Sequence, residues 1–210
     1  GTGKTTIAMA CAAIISSGGR WPDGEQSSRG SVLIWSGEDD PADTLIPRSI
    51  AAGADRSMVH FVGNASDGIN TRPFDPSRDM LALQESAARI PDIRLVIVDP
   101  IVSAVAGDSH KNAEVRRALA PLLAFAENIG AALLGITHFT KGTSGRDPLE
   151  RVTGSLAFGA VARVVWATAL TESEAGERMH VLARAKSNIG PDDGGFSYSF
   201  EQVDLSSHPG

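Results

Sequence analysis

Apolar positions along this chain fall into two alternating arrangements. Short unbroken runs stand at residues 31–36 (SVLIWS), 94–99 (RLVIVD) and 131–137, each bounded by polar or turn-forming residues. A strand that is apolar without alternation is buried on both faces, the habit of a parallel sheet. Between these runs lie longer stretches with helical boundaries. Residues 4–17 are rich in Ala and Ile and stop at Gly18-Gly19. Residues 41–53 open on Pro41 and close on Gly53, residues 77–90 begin with Ser77 as a cap, and residues 113–129 are amphipathic. Proline in a first turn, serine at a start and glycine past an end are the expected boundary residues. Residues 20–30 read as a loop, 59–62 as a short strand, and the polar stretch to residue 76 as a long loop. Residues 163–170, 179–185 and 196–202 read as a strand meander. Strands alternating with helices predict an α/β fold, with a mainly parallel twisted sheet covered by helices on both faces.

Composition narrows the class. The 210 residues are 42% apolar, 21% charged and 5% aromatic, which is globular and long enough for one domain over residues 1–210 with a real core. The net charge of −6 argues against a polycation that coats nucleic acid, though not against basic loops on an acidic body. Cys11 is the single cysteine and has no internal disulfide partner. The apolar run at residues 7–15 is too short to span a bilayer. A cytoplasmic protein without membrane contact is expected.

The first candidate chemistry is at Gly1-Thr2-Gly3-Lys4-Thr5-Thr6. This matches the second half of the phosphate-binding pattern G-x-x-x-x-G-K-[ST], whose glycine-rich backbone cradles phosphates. Lys4 would reach the β- and γ-phosphates of ATP and the Thr5 hydroxyl would take Mg²⁺. The first glycine of the pattern and the strand feeding it are not in the sequence, so a truncated gene record or a trimmed domain is expected. Loss of a central strand would expose the apolar edges of its neighbours.

Three further residues sit where apolar strands end. Asp99 closes residues 95–99 (LVIVD), the arrangement of a Walker B motif that holds the Mg²⁺ shell. Glu38 follows the strand at 31–36, where a carboxylate beside the γ-phosphate polarises the attacking water. Asp40, before Pro41, has a capping duty available; Glu38 has none and is favoured as the base over Asp39, which is left as a structural or supporting group. His138 follows the strand at 131–137 and is placed to sense the γ-phosphate. The loop at residues 139–152 carries Lys141, Arg146 and Arg151, a candidate DNA-binding set. Arg184 and Lys186 alternate along a late strand and so are expected on one side. There they suit either a neighbouring subunit's γ-phosphate or an ordinary salt-bridged surface. No alternation of aromatic and basic residues marks a stacking platform.

The order of these pieces resembles RecA-type P-loop ATPases, and more closely the RepA-type hexameric replicative helicase branch, which includes helicase domains fused to phage and plasmid primases. The stretch from Ser36 to Pro41 with Arg48 and Gly53, then His138 and Lys141, Gly154-Ser155 and Ala162-Arg163, and finally residues 186–190 (KSNIG) carry that resemblance. It implies a hexameric ring with ATP at subunit interfaces, Glu38 as base, central loops on single-stranded DNA and a primase domain or protein as partner. The other readings are a non-motor RecA-like nucleotide-binding protein in recombination or regulation, and a degenerate interaction module. The complete Glu38, Asp99 and His138 set argues against the last.

Overall fold

The computed structural model describes residues 2–66, 68–105, 109, 111–140, 148–152, 156–172, 176–191 and 193–205. Helix α1 (Lys4–Ser17) ends at Gly18, whose left-handed backbone returns its N–H to the last turn. Strand β1 (Ser31–Ser36) is followed by a single π turn (Pro41–Leu45) running into α2 (Ile46–Ala51). Strand β2 (Val59–Phe61) comes next, then a small hairpin of β3 (Ala65–Ser66) and β4 (Thr71–Arg72). The chain continues through α3 (Met80–Ala87), β5 (Ile93–Asp99), α4 (Asn112–Asn128) and β6 (Ala132–Gly135). Helix α5 (Leu156–Val161) then leads to β7 (Val164–Glu172), β8 (Arg178–Ser187) and β9 (Gly195–Tyr198).

Four strands form a parallel sheet in the order β2-β1-β5-β6. Successive side chains of a strand point to opposite faces, and the core divides accordingly. Val32, Ile34, Leu95 and Ile97 pack on one side with Ala8, Met9, Ala12 and Ile15 of α1 and with Leu45. Leu33, Trp35, Val96 and Val98 pack on the other with α3, α4 and α5, around Leu83, Leu122, Phe125 and Phe158. This is the α/β architecture that the apolar runs predict, and it is RecA-like, as the resemblance implies.

The meander is also present, as a separate antiparallel sheet in the order β7-β8-β9. Four local expectations need correction. The strand expected over 131–137 pairs only over residues 132–135. The supposed loop before residue 76 contains the β3–β4 hairpin, whose strands of two residues each are too short to leave an apolar pattern. Ser77 does not cap a helix: its N–H and hydroxyl both donate to the Asp75 carboxylate. Helix α3 starts only after Asp79, which is gripped by both terminal nitrogens of Arg72 at 2.7 Å.

The fourth correction concerns the late basic pair. Val165 faces Lys186 but Trp166 faces Arg184, so Ala185 is an extra residue in β8. Facing residues share a side of the sheet. The bulge therefore puts Arg184 and Lys186 on opposite faces, where simple alternation predicts one.

Candidate active site

Helix α1 begins directly after Gly3, whose φ of 70° is left-handed, a conformation open to a residue without Cβ. The first helical bond runs from Ile7 N–H to the Gly3 carbonyl, and no side chain caps the end. The amides of Lys4, Thr5 and Thr6 thus have no partner within the helix, and together with the helix dipole they form a donor set for phosphate. Gly3 and Thr2 are held from the other sheet. The Tyr198 hydroxyl donates to the Thr2 carbonyl at 2.6 Å, the hydroxyls of Thr2 and Thr168 are 2.7 Å apart, and the Phe200 ring fills the space a Cβ on Gly3 would need.

The carboxylates converge because β1 and β5 end in register. Ser36 pairs with Asp99, and the Gly37 N–H donates to the Asp99 carbonyl at 2.9 Å. The Thr5 hydroxyl donates to Asp99 Oδ2 at 2.6 Å, which ties the phosphate-loop helix to the end of β5. Burial pushes the Asp99 carboxyl above its usual range; the Thr5 hydrogen bond opposes this, while the nearby charges of Glu38 and Asp39 add to it. Glu38 lies on the same rim, and its Oε2 is 3.8 Å from His138 Nε2.

The turn carrying Glu38 is fixed by its neighbours. Ser36 Oγ accepts from the Asp39 N–H at 2.9 Å, and Asp40 accepts from the N–H groups of Ala42 and Asp43 at the start of the π turn. Asp39 is engaged by Arg48 at 3.0 Å. Asp40 is the cap and Asp39 the partner of an arginine, so Glu38 is the carboxylate left facing His138 at 59% exposure.

The donor set suits Mg²⁺ bound together with a nucleotide. Magnesium takes one or two protein oxygens and keeps several waters, and Thr5 and Asp99 supply such a pair. Among the described residues no group of three or more His, Cys, Asp or Glu side chains is placed to hold a metal by itself.

The remaining candidates are distributed differently. Gly1, Lys141 and Arg146 lie outside the described residues, as does Gly154-Ser155. Arg151 stacks its guanidinium 4.3 Å from the centroid of the Phe139 ring. Phe139 bridges Val152, and the Thr140 N–H donates to the Arg151 carbonyl at 2.7 Å. The two ends of the basic loop are therefore joined one residue after His138. Lys186 is taken up within its own chain, donating to the carbonyls of Gly159, Ala160 and Ala162 at the end of α5. Arg184 stacks over Trp166 on the opposite face. Sequence reasoning missed Thr168, Tyr198 and Phe200 as supports of the phosphate loop; their contacts join positions far apart in the chain, and no local pattern announces them.

No helix among the described residues is long and apolar enough to cross a membrane. No curated protein matches the sequence. A family model described as an AAA domain matches residues 1–144, which contain the half phosphate loop, Glu38, Asp99 and His138. The chain belongs to this AAA-domain family of P-loop ATPases, and its α/β fold carries a nucleotide-binding ATPase site.

Proposed function

We propose that the protein is an ATP-hydrolysing motor on single-stranded DNA, helicase-like, of the kind used in plasmid and phage replication. The observation that carries the reading is the joining of Glu38, His138 and the basic loop. Glu38 faces His138 at 3.8 Å, and the loop that follows is closed at its base by the Phe139–Val152 bridge. A change at His138 therefore reaches both ends of the loop at once, which is the connection a motor needs between nucleotide state and grip.

In this reading the amides of Lys4, Thr5 and Thr6 bind the phosphates, with Lys4 on the β/γ end. Thr5 and Asp99 hold Mg²⁺, which when bound neutralises charge on the transferring phosphate. Glu38 orients and polarises the attacking water. Lys141 and Arg146 neutralise backbone phosphates without reading bases, as suits a protein that must pass over any sequence. The resemblance to the RepA-type branch supports a ring of six subunits and a primase partner.

DNA-stimulated ATP hydrolysis by the full-length protein tests the reading. Lys141→Ala with Arg146→Ala should abolish stimulation and leave basal hydrolysis nearly intact. The same pair should lower the salt slope of single-strand binding by about 0.7 for each phosphate that is no longer neutralised. His138→Ala should leave DNA bound but no longer stimulating. Unchanged DNA affinity and slope in the double variant would move the non-motor nucleotide-binding reading ahead.

A further inference from the structure

Thr2 is held by both of its oxygens, and from two different strands. The Tyr198 hydroxyl of β9 donates to its carbonyl at 2.6 Å, and the Thr168 hydroxyl of β7 is 2.7 Å from its own hydroxyl. Strand β8 runs between those two, so Thr2 lies across the middle strand of the antiparallel sheet. The phenol is itself fixed in place. The rings of His180 and Phe200 each lie 5.5 Å from the Tyr198 ring, centroid to centroid, and Phe200 also covers Gly3. Burial pushes the phenol above its ordinary range, so at neutral pH the hydroxyl keeps the proton that it donates.

Fixing the Thr2 carbonyl also fixes the next N–H. The peptide joining Thr2 to Gly3 is trans, and in a planar trans peptide the N–H points opposite to the C=O. With the carbonyl aimed at Tyr198, the Gly3 N–H is aimed away from β9. No group among the described residues accepts from it. Gly3 is left-handed, with φ 70° and ψ 32°, and Lys4 begins the right-handed helix. Adjacent residues of opposite hand turn successive N–H groups into one concavity, a form that takes an anion. The Gly3 N–H thereby joins the amides of Lys4, Thr5 and Thr6. Rotation of the Thr2–Gly3 peptide would put a carbonyl oxygen where that donor stands, and an oxygen there repels phosphate.

We propose that Tyr198 is a positioning residue for the ATPase: through the Thr2 carbonyl it sets the plane of the Thr2–Gly3 peptide and keeps the Gly3 N–H open to phosphate, with Thr168 as the second anchor. The proposal rests on the nucleotide-binding reading of the phosphate loop. It gives the antiparallel sheet a part in phosphate affinity without any contact to the nucleotide.

The test measures binding of tripolyphosphate and of ADP to the full-length protein, together with KM and kcat for ATP hydrolysis. Tyr198→Phe keeps the ring and removes only the donor. It should weaken both ligands by the same factor, about 3- to 10-fold, the span that one net hydrogen bond covers. It should raise KM by that factor and leave kcat within about twofold, since the lost donor acts on bound phosphate before and during the reaction alike. Thr168→Val should act in the same direction and more weakly. Phe196→Leu is the control. Phe196 stands two residues before Tyr198 and packs on Trp166 with ring centroids 6.1 Å apart. Its replacement should leave both ligands within about twofold, as a change at a part-exposed position does. Ligand affinities and KM unchanged in Tyr198→Phe overturn the proposal even if the melting temperature falls, because a bond with a structural role only would lower stability alone. Equal weakening by Phe196→Leu overturns it as well, since the effect would then come from loosening the sheet at large. So does weakening of ADP without weakening of tripolyphosphate, which would take Tyr198 away from the phosphates. If the unaltered protein binds neither ligand, the phosphate-loop reading itself has failed, and the proposal falls with it.

Discussion

Strand β1 of the parallel sheet has five consecutive buried residues, Ser31 to Trp35, whereas β7 of the antiparallel sheet runs for nine residues without a fully buried one. The difference is one of cover. β1 has α1 against one face and α3 and α4 against the other, so its side chains are fixed by packing from both directions. β7 and β8 keep a face on which aromatic and cationic groups stay open. The parallel sheet gathers Glu38, Asp99 and His138 at its strand ends, and the antiparallel sheet offers surface. The bond from the Tyr198 hydroxyl to the Thr2 carbonyl and the pairing of the Thr2 and Thr168 hydroxyls tie the antiparallel sheet to the start of α1.

The comparison breaks first at the chemistry. Glu38→Gln should reduce hydrolysis by about 10²–10⁴-fold while nucleotide binding persists. Steady-state ATPase rates and equilibrium binding on the same preparation check it. A rate within about threefold of the unaltered protein would pass the role to Asp39 or remove it.

Stability comes next. Phe125, 1% exposed between helix and sheet, should cost about 3–5 kcal/mol when replaced by alanine. Leu170, 51% exposed on β7, should cost no more than about 0.5 kcal/mol. Urea unfolding of both variants gives the contrast directly, and similar destabilisation at the two sites would show the antiparallel sheet to be packed as the parallel one is.

Lys186→Met is intermediate. It removes a charged donor from three carbonyls at the end of α5 and should cost about 1.5–3 kcal/mol. Hydrolysis by the folded variant should stay near normal. A collapse of hydrolysis with stability intact would instead assign Lys186 to a neighbouring subunit's phosphate.

The smallest effect is a shift with pH. The Asp99 carboxyl is raised by burial, so above that raised value the ligand-free fold carries a charge it would rather not hold. Asp99→Asn should therefore raise the melting temperature of the ligand-free protein slightly at neutral pH. The gain should vanish as pH falls below the ordinary aspartate value, where both forms are neutral. The same substitution should weaken the Mg²⁺-dependent part of nucleotide binding. Thermal melts at several pH values, with and without Mg²⁺–nucleotide, measure both arms.

What the sequence discloses follows the same division. α1 and β1 have the bounds that their patterns predict, residues 4–17 and 31–36, because burial on both sides writes continuous apolar runs and sharp glycine ends. That Glu38, Asp99 and His138 share one rim is legible because each stands at the end of such a run. The antiparallel sheet is legible only as strands. The bulge at Ala185 leaves no mark in composition yet moves Lys186 to the other face. Trp166, Arg184 and Phe196 come from three strands and are neighbours only through register, so no window of sequence shows them as a cluster.

The bond from Tyr198 to the Thr2 carbonyl joins positions 196 residues apart. At ribosomal rates of about 5–20 residues per second, roughly 10–40 seconds pass between synthesis of the phosphate loop and synthesis of the strand that steadies it. Nascent chains thus carry Glu38, Asp99 and His138 well before they carry the strand that holds Thr2. The contact that fixes Thr2 can form only after every strand of the parallel sheet has been made.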